Sequence, residues 1–209
     1  INCIESVIAQ TYDSIECILV DDLSTDNTLL VLEEKLAFYT GNIVFSIIKQ
    51  TKNQGASAAR NCGIRVATGA YIYFLDSDDY LFPHSIKRLV DCVLEHPGVD
   101  LVHGELLCEN KALEYELSIN NKGFPQFTDN QLWLRNNFFI HLPVTPVNKM
   151  VRRELLITHD LFFYEGIVCE DILWLYSLRM FVKSISFVFD GTYYYRYNLN
   201  SVMVSPKNE

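Results

Sequence analysis

Tyr71-Ile72-Tyr73-Phe74-Leu75-Asp76-Ser77-Asp78-Asp79 is the stretch on which the reading of this sequence turns. Its apolar opening suits a buried strand, and the strand stops where the carboxylates begin, because charged side chains resist desolvation. Three like charges at one strand end repel one another and cost stability if nothing neutralises them. A divalent cation reverses that cost, since Mg²⁺ or Mn²⁺ takes hard oxygen ligands and keeps positions open for phosphate oxygens. A solvated acidic turn, with Asp79 or Ser85 starting the next helix, accounts for the same residues. The flanking sequence has to decide.

Upstream, the pattern alternates. Ile1 to Gln10 places Ile1, Ile4, Val7 and Ile8 on one helical face. Ile15 to Val20 is a short apolar strand that runs into Asp21-Asp22, and a turn rich in helix caps leads to a helix over Leu29 to Phe38. Ile43 to Ile48 reads as a strand, Gln50 to Gly55 as a polar loop, and Ala56 to Ala67 as a helix closed by Thr68-Gly69. Downstream, Pro83 starts a helix to about Glu95, and Val99 to Leu107 is the next strand. Strand alternating with helix implies an α/β fold with a mostly parallel sheet flanked by helices. Ligands of such sheets bind at the carboxyl ends of the strands, where both Asp21-Asp22 and Asp76 to Asp79 fall.

The second half is less regular. Glu114 to Phe127 reads as loop and short strands, Asp129 to Asn137 as a helix, and two prolines argue against a regular element over His141 to Met150. Short helices follow at Arg152 to Ile157 and Glu170 to Phe181, then strands at Ile185 to Phe189 and Tyr193 to Tyr197. Trp133, Phe138 and Phe139 fit core better than sugar platforms.

The composition excludes several classes. With 209 residues, 49% hydrophobic and 21% charged, the chain has the make-up of a globular domain with a sizeable core. A net charge of −9 argues against nucleic acid as a partner, which would call for a basic face. It does not exclude an anionic substrate, since a bound cation can supply the local positive charge. Cys3, Cys17, Cys62, Cys92, Cys108 and Cys169 show neither C-x-x-C nor zinc spacing, and several fall in apolar runs as small buried hydrophobes would, which fits a reducing compartment. No apolar run is long enough to cross a bilayer, and no signal-peptide pattern opens the sequence.

Three acidic sites, Asp21-Asp22, Asp76 to Asp79 and Glu170-Asp171, are set among further motifs. These are Val20-Asp21-Asp22-Leu23-Ser24-Thr25-Asp26, Asn53-Gln54-Gly55 with Ala59-Arg60-Asn61, Asn148-Lys149 to Arg152-Arg153, and Tyr195-Arg196 to Ser201. In order and spacing the set resembles glycosyltransferase family 2 on the GT-A fold, the nucleotide-diphospho-sugar transferase fold. The resemblance covers essentially the whole sequence. It implies a metal-dependent, inverting transferase that moves a sugar from a nucleoside diphosphate sugar, by expectation UDP-linked, to an acceptor hydroxyl in polysaccharide or glycolipid assembly. The cofactor implied is Mn²⁺ or Mg²⁺.

Carried over by motif, Asp22 meets the nucleobase, Lys52 and Asn53 border the nucleotide, and Asp76 holds the ribose hydroxyls. Asp78 ligates the metal, Asp79 caps the next helix or orients Asp78, and Asp171 is the general base. Three of these readings have a plainer counterpart, with Asp22 as a turn or cap residue, Lys52 as a solvated lysine and Glu170-Asp171 as a favourable acidic first helical turn, whereas no hydrogen-bonded turn could substitute for Asp78. Arg60 fits best as a helix residue paired with an acid. The division expected is 1–107 as the nucleotide-sugar half and 108–209 as the acceptor half of one domain. The family also implies a carbohydrate or glycolipid acceptor and a cytoplasmic setting that allows peripheral contact with the membrane's inner face, and it leaves room for a homo-oligomer. Family members begin with a strand and turn ahead of the first helix, whereas this sequence opens inside that helix, so the first strand is expected to be missing. A non-catalytic or fragmentary nucleotide-sugar-binding module is the competing expectation.

Overall fold

A computed structural model describes residues 1–120 and 122–197. Ser201, at the end of the last motif, lies outside them, as does the side chain of Phe139. In chain order the elements are α1 (Asn2–Ile8), β1 (Glu16–Asp21), α2 (Thr28–Ala37), β2 (Val44–Lys49), α3 (Gly55–Val66), β3 (Tyr71–Tyr73), β4 (Tyr80–Leu81), α4 (Ser85–Glu95) and β5 (Leu101–Cys108). There follow α5 (Lys111–Leu117), β6 (Phe127–Thr128), α6 (Gln131–His141), β7 (Lys149–Arg152), α7 (Arg153–Thr158), α8 (Glu170–Arg179) and β8 (Ile185–Tyr195).

The α/β class stands, but the sheet is more mixed than the alternation implies. β1 and β2 pair in parallel as a sheet of their own. The larger sheet runs β3-β7-β5-β8-β4, with β6 also on β8. β5 and β8 are parallel, whereas β7 lies antiparallel between β3 and β5, and β4 and β6 are antiparallel to β8. The reason is β7. Pro143 and Pro146 argue against regular structure ahead of it, yet Lys149–Arg152 is free of proline and inserts as a reversed central strand.

Two further differences have local causes. The Asn110 side chain accepts from the amides of Ala112 and Leu113 and starts α5 where loop and short strands were expected. β8 is one continuous strand across Gly191, where two were expected.

The main hydrophobic cluster draws Ile64 from α3, Ile72 and Phe74 from the opening stretch, Leu101, Phe138, Leu156, Trp174 and Phe187. Phe138 is fully buried and Trp133 packs against the cluster, both as core residues. β5 is buried along nearly its whole length, as a strand covered on both faces must be. Among the described residues no ladder joins β1 to β3. The β1–β2 pair is held instead by packing, with Ile18 against the main cluster and α3 lying along β1.

Asn148 gives the Asn148-Lys149 motif a structural meaning. It is fully buried with φ 57, a left-handed conformation that asparagine tolerates better than most residues. Its Oδ1 accepts from Tyr73 Oη at 3.0 Å and Thr192 Oγ1 at 2.8 Å, and its Nδ2 donates to the Gly104 carbonyl at 2.7 Å. One side chain thereby ties β3, β5 and β8 together at the start of β7. Glycine suits position 104, because a Cβ there would overlap Thr192 Oγ1 and force it to shift. No helix among the described residues is long and apolar enough to cross a membrane, and all six cysteines are free thiols.

Candidate active site

The site is assembled on α3. Its small residues let it pack closely, with Ser57 and Ala58 buried, and Gly55 supplies the φ of 84° that opens the helix. Three of its contacts hold three separate motifs.

The first is Asp22, immediately after β1. Its two carboxylate oxygens accept the amides of Gln54 at 2.8 Å and Gly55 at 2.6 Å, placing a negative charge at the positive end of α3. The capping reading of Asp22 is therefore realised. Each oxygen keeps a further lone pair, so the carboxylate can still accept from a ligand. Lys52 and Asn53, just ahead of the captured amides, are exposed, and neither side chain makes a hydrogen bond among the described residues. Asp21 is used up locally by the amide and hydroxyl of Ser24.

The second is Arg60. Its Nη2 donates to Asp76 Oδ1 at 3.0 Å and its Nη1 to Glu170 Oε1 at 3.2 Å. One planar guanidinium thus joins the D-x-D-D turn to the Glu170-Asp171 pair, a bridge for which arginine's fixed fork is suited. The guanidinium sits 5.3 Å from the centre of the Phe163 ring. Phe163 stacks on Trp174 at 4.7 Å, and Phe74 meets both edge-on at 5.4 and 5.7 Å. The three rings come from the opening stretch, the loop before α8, and α8 itself. The aromatic floor and the arginine above it hold the same elements in register.

The third is Asn61. Its Nδ2 donates to the Phe163 carbonyl at 2.8 Å and to Glu165 at 2.9 Å, while its Oδ1 accepts the Phe163 amide at 2.7 Å. That pins the loop feeding α8, which starts from Cys169 at φ 62. Asp171, in the first turn, is half-buried, and its Oδ1 accepts the neighbouring Ile172 amide at 2.9 Å. Its charge reaches Lys149, which is wholly buried and donates to the Thr145 carbonyl at 2.5 Å. Burial pulls the Lys149 ammonium down to about 7, partly opposed by Asp171.

The carboxylates of the opening stretch are not equivalent. Asp76 is engaged by Arg60. Asp78 is exposed and makes no hydrogen bond among the described residues. Asp79 is buried, accepting from Tyr193 Oη at 2.5 Å and the Arg196 amide at 2.9 Å, so it neither caps α4 nor faces solvent. Burial raises its carboxyl to about 6, against the two donors, with the charges of Asp78 and Asp76 adding to the rise. Cys3 offers its thiol to the Asp76 carbonyl at 3.6 Å, and burial first, then Asp79, lifts it to about 11, keeping it a protonated donor.

Among the described residues no group of three or more His, Cys, Asp or Glu side chains is arranged to hold a metal ion alone. One free carboxylate at the crest of the turn does fit an ion shared with a diphosphate, because Mg²⁺-type sites commonly use one or two carboxylates plus phosphate oxygens. Asp76 and Glu170 come together through Arg60, Asp22 joins the Asn53-Gln54-Gly55 loop, and Asp78 and Asp171 stand apart with open faces. Asn61, Phe163 and Tyr193 were given no role from sequence. Only Asn61 carried a signal, as part of the Ala59-Arg60-Asn61 motif.

This architecture is the GT-A fold of nucleotide-sugar transferases. The solved structure of Staphylococcus aureus TarS 1-349 in complex with UDP-GlcNAc matches with a TM-score of 0.77 at 25% identity, over 98% of this chain and 56% of that one. The sequence pattern of Glycosyl transferase family 2 matches residues 1–159, and the chain belongs to that family. Glycosyltransferase GlyG of Streptococcus pneumoniae serotype 4 is 28% identical over 97% of this chain and 68% of its own length. The UDP-Glc:alpha-D-GlcNAc-diphosphoundecaprenol beta-1,3-glucosyltransferase WfaP of Escherichia coli is 44% identical over 42% of this chain and 33% of its own. The chain spans 58% of the length of two further relatives, YibD of Escherichia coli K12 and EpsH of Bacillus subtilis.

Proposed function

We propose that this chain forms the catalytic domain of an inverting, metal-dependent glycosyltransferase that uses a UDP-linked sugar and a carbohydrate or glycolipid hydroxyl acceptor in cell-surface polymer assembly. The Arg60 bridge carries the reading, because it sets the ribose-binding candidate Asp76 beside the pair that holds the base candidate Asp171. UDP as the leaving group is supported by the ligand of TarS and the donor named for WfaP, and a glycolipid acceptor by the diphosphoundecaprenol in the latter name.

Asp22 accepts from the base edge, with its carboxylate held by the start of α3, and Lys52 and Asn53 border the nucleotide. Asp76 takes the ribose hydroxyls, and its tie to Arg60 limits where they lie. Asp78 would ligate Mn²⁺ or Mg²⁺, which supplies positive charge against the charge growing on the departing diphosphate. Asp171 takes the proton from the acceptor hydroxyl as that oxygen attacks the anomeric carbon. Attack opposite the leaving group inverts the configuration, and no protein nucleophile takes part. Residues 1–107 then serve the donor and the remainder the acceptor.

A binding module without turnover is the second reading. It is favoured by the site itself, where α3 holds the nucleotide candidates Asp22 and Asp76 directly while Asp171 has no hydrogen-bond partner in common with either among the described residues. Calorimetric titration of a panel of nucleoside diphosphate sugars with and without Mn²⁺, alongside a transfer assay, separates the two. Binding without transfer to any acceptor supports the module, and failure of every nucleoside diphosphate to bind removes both.

A further inference from the structure

The D-x-D-D turn is held from beneath by the end of the last strand. β8 pairs with β4, setting Tyr194 opposite Tyr80 and Tyr193 opposite Leu81, just past the turn. Tyr193 is fully buried, and its hydroxyl has two partners. It donates to Asp79 Oδ2 at 2.5 Å and accepts the Asp76 amide at 3.3 Å. Asp79 completes the arrangement, its Oδ1 taking the Arg196 amide at 2.9 Å and its own amide reaching the Asp76 carbonyl at 3.1 Å. The two ends of the turn are thus fastened to one phenol, while Ser77 and Asp78 at the crest are exposed.

This arrangement does more than satisfy buried groups. A buried carboxylate needs donors, and any donor from the core would meet that need. Tyr193 instead spans both ends of the turn, so its single oxygen sets their separation and hence the direction of the crest. The phenol is itself kept neutral, since burial and the charges of Asp76 and Asp79 raise it far above its ordinary range. It remains a donor at every working pH.

We propose that Tyr193 is a positioning residue: its hydroxyl fixes the Asp76–Asp79 turn in the shape that presents Asp78 to the cation of a metal–nucleoside diphosphate. The proposal rests on the metal-dependent reading of the site. Tyr193 touches neither substrate nor metal and acts through Asp76 and Asp79. The same latch ties the turn to Arg196, so the segment leaving β8 and the metal-bearing turn share one anchor.

The test is Tyr193→Phe, which keeps the ring and removes the oxygen, compared with Tyr71→Phe. Tyr71 lies on β3 and its hydroxyl donates to the Val99 carbonyl at 2.8 Å, so that control also loses one hydrogen bond but leaves the turn alone. Amide hydrogen exchange is read at Asp76 and Asp79 without ligand, and the Mn²⁺ concentration giving half-maximal UDP binding is read by calorimetry. Tyr193→Phe is expected to speed exchange at both amides by roughly tenfold or more, and to raise the Mn²⁺ requirement by about tenfold. Tyr71→Phe should change neither. Exchange at the two amides unchanged in Tyr193→Phe, or raised equally by both variants, overturns the latch. Wild-type protein that binds no UDP with Mn²⁺ overturns the reading beneath it, and is recognisable as such because the exchange measurement uses no ligand.

Discussion

Asp76 and Glu170, far apart in sequence, share the guanidinium of Arg60, at 3.0 and 3.2 Å. A lysine there would keep the charge and lose the fork, so it could hold one carboxylate but not both in the same geometry. Arg60→Lys is expected to lower kcat/KM by about a hundredfold, the scale of an ångström-level misplacement of reacting groups. Steady-state kinetics against donor and acceptor check this, and an unchanged kcat/KM would show that the bridge is only structural.

Asp171 is half-buried, and its Oδ1 accepts only the neighbouring Ile172 amide among the described residues. Asp171→Asn should reduce kcat by roughly 10²- to 10⁴-fold, the usual contribution of a positioned base, and leave the affinity for donor nucleotide unchanged. Intact transfer in this variant would remove Asp171 as the base.

Asp78 is exposed and carries no internal hydrogen bond among the described residues, so its loss should cost the fold almost nothing. Asp78→Asn is expected to hold stability within about 0.5 kcal/mol of wild type while abolishing the Mn²⁺-dependent gain in UDP affinity. Denaturant unfolding and calorimetry give the two measurements. A retained metal response would move the ion to another group.

Lys149 yields a prediction about pH. The free ammonium titrates near 10.5 and the folded one near 7, so between these values the unfolded chain holds one proton more. Stability contributed by this group therefore rises with pH across that window, by at most about 1.4 kcal/mol per pH unit. Lys149→Met should remove that slope from urea unfolding measured between pH 7.5 and 9.5. Equal slopes in the two proteins would mean that Lys149 stays charged in the fold.

Gly104 tests the Asn148 junction. A Cβ there overlaps Thr192 Oγ1 and crowds Asn148 Oδ1, so Gly104→Ala should destabilise the protein by about 1–3 kcal/mol, as overpacking does. Thermal unfolding decides it. An unshifted midpoint would mean that the junction repacks freely.

The first half of the fold was legible because its elements are local. Helix-forming residues closed by Thr68-Gly69 mark α3, and the strands before the acidic turns end where charge begins. β7 and α5 were not legible, since each depends on a detail that composition hides: a four-residue reversed strand right behind two prolines, and one asparagine cap. Within the site, motif order singled out the carboxylates but not how each is engaged in the fold. Nothing in Asp76-Ser77-Asp78-Asp79 says that Asp79 turns inward, because its partner Tyr193 arrives from the last strand. Tyrosine in an aromatic run reads as packing until its hydroxyl is seen to have two partners.

The placement of α3 between the small sheet and the large one has a kinetic corollary. Asp22 grips the front of this helix and Arg60 extends from its middle. On the proposed roles, the helix is a lever that carries the base-recognising end and the reacting end together. A substitution that retunes which base is accepted by tilting α3 also shifts Arg60, and with it both carboxylates. Donor preference and turnover number should drift together in any series of variants selected around Asp22, and uncoupling them would take a compensating change at the Phe74–Phe163–Trp174 floor.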